Sequence, residues 1–124
     1  MPAGLKTPGP DHPITIKPAR DLIRVRFNGK VIAETTHALE LDEAGYRTVR
    51  YIPRGDVDMA FFERTGRVTH CPYKGDANYF SLVDADARAE NAVWSYEHPG
   101  AAVAAIAGHF AFYPARVEIQ FLQM

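Results

Sequence analysis

Residues 22–35 carry the pattern that most restricts the fold of this chain, an alternation of apolar and charged side chains interrupted by one Asn-Gly dipeptide. Ile23, Val25 and Phe27 alternate with arginines, which is the spacing of a strand with one buried face. Asn-Gly accepts the positive φ angles of a tight two-residue turn, and residues 31–35 supply the returning strand. The segment predicts a β-hairpin and favours a β-rich domain.

Short segments of the same kind recur along the rest of the chain. Strands are predicted over residues 48–52, 67–71, 78–83, 91–97, 110–113 and 117–121. A short helix is predicted where Asp56 can cap its start and Gly66 its end, and a second over residues 99–106, while residues 38–44 fit either a helical turn or a strand edge. No helix follows each strand, as a parallel sheet requires. We therefore expect a mainly β fold, a compact antiparallel sandwich or open barrel of about seven short strands with one or two short peripheral helices.

Residues 1–21 are predicted to form a proline-rich N-terminal arm. They hold five of the nine prolines, and proline fixes φ and removes a backbone donor, so the arm should contain neither a helix nor a central strand. Ile14 and Ile16 alternate at strand spacing, which indicates that this part of the arm lies on the domain. Residues 22–124 are expected to be one mainly β domain.

Charge and composition exclude several classes of partner. Fourteen Lys and Arg against fifteen Asp and Glu leave a net charge of -1, so we expect neither nucleic acid nor an anionic membrane to bind. One cysteine cannot form an internal disulfide, and the start MPAGLKTPGPDHP lacks the apolar run of a secretory signal, which predicts a cytoplasmic location. The apolar stretch over residues 101–113 is interrupted and shorter than the roughly 20 residues of a membrane span.

The stretch THCPYKGDANYFS, residues 69–81, surrounds that cysteine with polar and aromatic side chains. A bend at its Cys-Pro-Tyr-Lys-Gly turn would bring together His70, Cys71, Tyr73 and Lys74 at the end of two strands, where functional loops usually lie. A lysine ammonium or an imidazolium beside a thiol favours the nucleophilic thiolate, so Cys71 and His70 are the candidate catalytic residues. Free cysteines are more often small buried hydrophobes, and that role stays open for Cys71.

The candidate ligand-binding residues lie in the same turn and in the later strands. They are Tyr73, Lys74, Tyr79, Trp94, Tyr96, His109 and Tyr113. A fixed lysine can pair with an anionic group as a point charge, although turn lysines are most often solvated, and aromatic residues can wall a pocket or fill the core. His109 fits a structural role or that of a general base, and His12 is predicted to be a surface residue. No metal site and no cofactor are predicted, because the chain has one thiol and no paired His or Cys motif.

Several motifs at matching distances resemble a known family. They are HPITI, RVRFNGKVIAET, YIPRGDVD, THCPYKGDANYFS, AVWSYEHP and IAGHFAFYPARVE, between Gly9 and Phe121. In these motifs the chain resembles the small bacterial family catalogued as domain of unknown function 427. The resemblance implies a compact, mostly β single domain. Its motif positions fall on Cys71, Tyr73, Lys74, Gly75, Ala77, Tyr79, Trp94, Tyr96 and residues 111–114.

The family is also filed as nucleotidyltransferase-like, a chemistry that needs paired metal-binding acids after a Gly-Ser turn. This sequence contains no such arrangement, and we discount the label. We expect instead that a small polar or anionic ligand binds in a pocket formed around the Cys-Pro-Tyr-Lys-Gly turn. The alternative is a thiol-dependent enzyme with Cys71 as nucleophile and His70 or His109 as base. A third interpretation is a protein-interaction module that forms a homodimer through an edge strand.

Overall fold

The protein is mainly β, as its sequence pattern predicts, in a computed structural model that describes residues 4–123. Its strands are β1 (Ile14–Pro18), β2 (Leu22–Phe27), β3 (Lys30–Thr35), β4 (Leu39–Glu43), β5 (Val49–Tyr51), β6 (Phe62–Cys71), β7 (Gly75–Asp84), β8 (Ala87–Ser95), β9 (Ala111–Phe112) and β10 (Glu118–Leu122). The helical segments within these residues are 3-10 turns at Arg54–Asp56, Met59–Phe61 and Ala101–Ile106. None of these segments is long and apolar enough to cross a membrane.

The strands form three antiparallel sheets. The first has the order β1-β4-β5, the second β10-β2-β3 and the third β6-β7-β8-β9. The predicted hairpin is confirmed as β2 and β3, with Phe27 opposite Lys30 across the Asn-Gly turn. The described residues contain ten strands rather than about seven, because the arm adds β1 and residues 38–44 add β4. Strand β9 is shorter than predicted and ends before Tyr113.

The predicted helix between Asp56 and Gly66 is wrong. The Asp56 carboxylate does not cap a helix, because it accepts a 2.6 Å hydrogen bond from the Thr35 hydroxyl. Asp58 instead caps the short 3-10 turn, accepting from Ala60 N at 3.1 Å. Gly66 lies inside β6, where the pairing with β7 shifts register, so it produces a bulge rather than an end.

The alanine-rich segment after Pro99 forms 3-10 turns rather than the predicted helix over residues 99–106. Val103 has a φ of −125°, which interrupts the segment. Val103 and Ile106 are fully buried, and a spacing of three residues places both on one side of a 3-10 turn. Burial of these two side chains therefore determines the local conformation.

Two apolar clusters fill the interior between the sheets. The larger contains Val25, Ile32, Ile52, Phe80, Leu82, Val93 and Phe110, and the smaller contains Leu41, Tyr51, Ala77, Tyr79, Tyr96, Val103, Ile106 and Ala111. Phe62, Phe80 and Phe110 pack edge to face with ring centroids 5.3–6.3 Å apart. The smaller cluster lies beneath the Cys-Pro-Tyr-Lys-Gly turn and supports the residues of the candidate site.

The N-terminal arm lies on the domain, as Ile14 and Ile16 predict, and its first three residues fall outside the described part. Strand β1 pairs with β4 at a sheet edge. Closer to its start, Lys6 N donates to Pro72 O at 2.8 Å. A β-carbon at Gly100 would lie 2.9 Å from Leu5 Cδ1 and 3.2 Å from the Tyr73 carbonyl oxygen, so the arm packs closely against Gly100. The described arm therefore covers the turn that follows β6.

Candidate functional site

The Cys-Pro-Tyr-Lys-Gly turn connects β6 to β7 and has a fixed backbone. Cys71 ends β6 opposite Gly75, whose φ of +103° favours glycine over any residue with a side chain. The Lys74 N–H donates to the Cys71 sulfur at 3.4 Å, and Gly100 N donates to Lys74 O at 3.1 Å. The backbone thus turns Lys74 inward, toward the smaller apolar cluster.

Lys74 is buried and forms an ion pair within the domain. Its Nζ donates to Glu43 Oε1, and each of the two side chains is 11% exposed. The same Nζ lies 5.6 Å from the ring centroid of Tyr96, which adds a cation–π contact. Tyr96 is itself buried. The structure therefore brings the predicted ligand-binding residues Lys74 and Tyr96 together inside the domain, where the Glu43 carboxylate neutralises the charge of Lys74.

Glu43 also holds a histidine from the N-terminal arm. Its Oε2 lies 2.8 Å from His12 Nε2, and the His12 ring stacks on Tyr73 with centroids 3.9 Å apart and planes 4° apart. Burial raises the pKa of Glu43, but the hydrogen bonds from Lys74 and His12 have the larger combined effect and lower it. The pKa of Glu43 therefore lies below its ordinary value. His12 is partly buried, because Glu43 and Tyr73 hold it, and its prediction as a surface residue is wrong.

The two candidate catalytic residues point to opposite faces of β6. His70 pairs with Asp76 across the hairpin at 2.8 Å, and their side chains are 62% and 68% exposed. Cys71 is half-buried and packs against the smaller apolar cluster. The alternation of side chains along a strand explains the separation, since no bend occurs between these neighbours. His109 bonds to Ala107 O in its own loop at 3.0 Å.

Trp94 connects the buried aromatic residues to the surface. Its Nε1 donates to Tyr51 Oη at 3.3 Å, and its ring lies 4.6 Å from that of Tyr113, at 49°. Tyr51 and Tyr96 are buried, and burial raises the pKa of both phenols above the ordinary tyrosine value. Trp94 and Tyr113 are therefore the members of this aromatic group that reach the outside of the domain.

A chain of three hydroxyl groups runs from β6 to Tyr113. Tyr79 Oη lies 3.0 Å from Thr69 Oγ1 and 3.4 Å from Tyr113 Oη. Burial and the hydrogen bond with Tyr79 raise the pKa of Tyr113 to about 12. Burial raises the pKa of Tyr79, but hydrogen bonds from Thr69 and Tyr113 lower it. Arg67 adds a hydrogen bond and a positive charge, and the Tyr79 pKa lies below its ordinary value.

Tyr79 and Tyr113 line a surface concavity of about 390 Å³, which we call the polar pocket. Its polar lining residues are Arg67, Tyr79, Glu90, Asn91, Tyr113 and Arg116. The Arg67 guanidinium carbon lies 4.9 Å from the Tyr79 ring centroid, and Arg116 Nη2 donates to the Glu90 backbone carbonyl at 3.4 Å. The Glu90 carboxylate accepts a hydrogen bond from Arg88 Nε at 2.8 Å. Within residues 4–123, neither arginine of the pocket has a carboxylate partner at ion-pair distance.

The sequence did not identify Glu43, His12, Arg67 or Arg116 as site residues. Glu43 is 31 residues from Lys74, and no local pattern indicates that they meet. The hairpin register does relate Arg67 to the site. Val68 pairs with Asn78, so the preceding residue Arg67 lies next to the residue that follows Asn78, which is Tyr79. Arg116 follows a proline in an irregular segment, where periodicity gives no direction for a side chain.

Metal-binding donors are dispersed in the part of the chain that the structure describes. Among residues 4–123, no three His, Cys, Asp or Glu side chains are grouped so that they could hold one metal ion. The closest acid–base group consists of Glu43, His12 and Lys74, in which both carboxylate oxygens already have partners. The residues present do not fit chemistry that depends on paired metal-binding acids.

Comparison with known proteins places the chain in a family. No curated protein matches it significantly. A family model described as Domain of unknown function (DUF427), which also carries a nucleotidyltransferase label, matches residues 15–123 and therefore most of the chain. The match confirms the resemblance seen in the sequence motifs, whereas the donor arrangement just described does not support the label. The chain belongs to the DUF427 family.

Proposed function

We propose that this domain binds a small anionic ligand and that the polar pocket holds the negatively charged group. One observation carries the proposal: Arg67 and Arg116 line one concavity without a carboxylate partner among residues 4–123, beside the hydroxyl groups of Tyr79 and Tyr113. Guanidinium groups bind carboxylate and phosphate oxygens through paired N–H donors. Two such groups in a concave site favour a carboxylate or phosphate ligand.

The arrangement gives each side chain a distinct role. The Arg67 guanidinium carbon lies 4.9 Å from the Tyr79 ring centroid, and a group with five N–H donors keeps donors available to an anion. Tyr79 is buried, and its hydroxyl is oriented by Thr69. Tyr113 is 38% exposed and can donate its hydroxyl hydrogen to a ligand oxygen. The buried residue thus positions the exposed one.

The local electrostatics support the same proposal. The Tyr79 pKa is lowered although burial opposes the charged form, and hydrogen bonds and the charge of Arg67 cause the shift. A site that favours a phenolate at this point also favours an external oxyanion. The one carboxylate among the lining residues, Glu90, pairs with Arg88, whose positive charge offsets its own.

This proposal moves the ligand away from the Cys-Pro-Tyr-Lys-Gly turn. A ligand that bound the Lys74 ammonium would compete with Glu43 for it, and breaking a buried ion pair is costly. The arm residues Leu5 and Lys6 also lie against this turn. We infer that the turn acts by fixing β6 and β7, which carry Arg67 and Tyr79 to the polar pocket.

The proposal is tested with inorganic phosphate and succinate as probes. Binding is followed by the fluorescence of Trp94, the only tryptophan, which contacts Tyr113. A ligand at 100 times its Kd raises the free energy of unfolding by about 2.7 kcal/mol, so thermal unfolding gives an independent measurement. Arg67→Ala and Arg116→Ala should each weaken binding at least about tenfold, as expected for the loss of a charge-assisted contact.

Two control variants identify the site. Arg20→Ala removes an exposed arginine that lines neither the polar pocket nor the cavity beside Trp94, and should leave the affinity unchanged. Lys74→Met removes the turn lysine, and its ligand-induced stabilisation should equal that of the wild type when each is compared with its own ligand-free form. Loss of binding in Lys74→Met with full binding in Arg67→Ala would overturn the proposal and move the ligand to the turn. Absence of binding by either probe to the wild type would also overturn it.

The other two interpretations stay predictions. For the thiol-dependent enzyme, the hydrogen bond from Lys74 N to the Cys71 sulfur is favourable, whereas His70 faces away from that sulfur. For the homodimer, Phe121 and Leu122 are exposed on β10, an edge strand. Light scattering across a concentration series tests self-association, and a monomer throughout would contradict it.

A further inference from the structure

A second concavity, the apolar cavity, lies between the sheets on the other side of Trp94. Its volume is about 200 Å³. Its apolar walls include Ile23, Val49, Trp94, Phe112, Ile119 and Phe121. These side chains come from strands of all three sheets, so the cavity is a gap in packing between sheets rather than a groove in one of them. Arg47 and Arg50 lie at its edge.

The size and lining of the cavity select a class of ligand. A cavity of about 150 Å³ lined by Leu, Ile and Phe stays dry and binds benzene. The present cavity is somewhat larger and has a comparable lining, with Trp94 and Phe112 providing aromatic walls. Aromatic rings pack well against such walls in tilted arrangements. A single aromatic ring therefore fits the space.

The charge at the mouth adds a second requirement. Arg50 is occupied, because its Nη2 lies 3.1 Å from Glu40 and its guanidinium carbon lies 4.6 Å from the Phe121 ring centroid. Arg47 is exposed and has no carboxylate within ion-pair distance among residues 4–123. A free guanidinium at the mouth of an apolar cavity complements a ligand with an apolar body and an anionic end.

We propose that the apolar cavity binds a monocyclic aromatic carboxylate, with the ring inside and the carboxylate at Arg47. This site is separate from the polar pocket and goes beyond the function proposed above. The two sites are adjacent, because Trp94, which lines the cavity, packs with its ring 4.6 Å from that of Tyr113 in the polar pocket. Occupancy of either site should change the fluorescence of Trp94, and the variants below tell the sites apart.

The test uses benzoate as the probe and benzyl alcohol as its uncharged counterpart. Benzoate should change the Trp94 fluorescence and bind by calorimetry, and inorganic phosphate should not displace it. Arg47→Ala should weaken benzoate binding at least about tenfold and leave benzyl alcohol unaffected, since only the charged contact is lost. Arg116→Ala, a substitution in the polar pocket, should leave the affinity for benzoate unchanged.

Filling the cavity provides a test that does not depend on charge. Val49→Phe and Ile119→Phe each enlarge a wall residue and should abolish binding of both probes. The two substitutions are made in separate proteins. Probe binding is compared only for a variant whose cooperative thermal unfolding shows that it folds. If neither variant folds, binding of benzyl alcohol to Arg47→Ala tests whether the cavity holds an aromatic ring without the charge.

Three results would overturn the proposal. The first is a benzoate Kd above about 1 mM for the wild type. The second is unchanged benzoate affinity in Arg47→Ala. The third is loss of benzoate binding in Arg116→Ala with full binding in Arg47→Ala, which would move the ligand to the polar pocket.

Discussion

The Lys74 ammonium and the Glu43 carboxylate form a nearly buried ion pair that joins the turn after β6 to the end of β4. The pair belongs to a larger group, because Glu43 also contacts His12 and His12 stacks on Tyr73. Strand β4, the N-terminal arm and the Cys-Pro-Tyr-Lys-Gly turn therefore meet at one carboxylate.

Removal of that carboxylate should destabilise the domain. Glu43→Gln leaves the buried Lys74 ammonium without its counter-charge, and breaking a buried pair costs about 3 kcal/mol. Urea denaturation measures the free energy of unfolding. Glu34→Gln is the matched control, because it breaks an exposed pair with Arg24 and should cost less than about 1 kcal/mol. The double variant with Lys74→Met should lose less than the sum of the single changes, and strict additivity would contradict the pairing.

The same pair should make stability depend on pH. The Glu43 pKa is lowered in the folded protein, since the hydrogen bonds from Lys74 and His12 outweigh the effect of burial. Its contribution is therefore complete above the ordinary value of 4.5 and is lost as the pH falls through the folded-state pKa. The difference in unfolding free energy between the wild type and Glu43→Gln should shrink as the pH falls below 4.5. A difference that stays constant between about pH 7 and pH 3 would contradict this assignment.

Cys71 should be protected from alkylation in the folded protein. Its side chain is half-buried against the smaller apolar cluster, so iodoacetamide should modify it at least about tenfold more slowly than in the unfolded chain. Mass spectrometry follows this single thiol without ambiguity. The control is Val68→Cys in a Cys71→Ser background, because Val68 is 55% exposed on the same strand. A faster reaction at Cys71 than at position 68 would favour the thiol-dependent enzyme.

The tyrosine pair of the polar pocket should titrate as a unit. Burial comes first among the causes that raise the pKa of Tyr113 to about 12, and the hydrogen bond and charge of Tyr79 contribute the rest of the rise. Tyr79→Phe removes the second contribution, so the pKa of Tyr113 should move toward the ordinary value of 10 while burial keeps part of the shift. Tyrosinate absorbance measures this titration, with Tyr46→Phe as a control because Tyr46 is exposed. An unchanged pKa of Tyr113 in Tyr79→Phe would show that the two hydroxyl groups do not interact.

Local patterns predicted the parts of the fold that depend on neighbours in sequence. The β2–β3 hairpin could be predicted because its alternation and its Asn-Gly turn are contained within residues 22–35. The hairpin around Cys71 could be predicted for the same reason, and it carries Tyr79 into the site. The expected meeting of His70 and Cys71 required a bend between them, and without that bend side-chain alternation along the strand separates them.

The remaining features depend on partners distant in sequence. Asp56 is a residue type that commonly caps helices, but its carboxylate accepts a hydrogen bond from the Thr35 hydroxyl on β3. This tertiary contact overrides the local capping preference. Glu43 lies in a strand with several charged residues, a pattern typical of a solvent-exposed face. Its burial depends on contact with Lys74, which is distant in sequence. The polar pocket combines Arg67 of β6 with Arg116, and no pattern in the sequence relates these two segments.

The pairing of β10 with β2 has a consequence for synthesis of the protein. Leu22 pairs with Leu122, so the sheet β10-β2-β3 joins segments from nearly opposite ends of the chain. Contacts with such sequence separation form slowly because a long loop must close first. On a translating ribosome, β2 and β3 emerge long before β10, and one edge of β2 waits unpaired. The sheet β10-β2-β3 is therefore complete only after β10 has emerged, and until then the unpaired edge of β2 is exposed to contact with other chains.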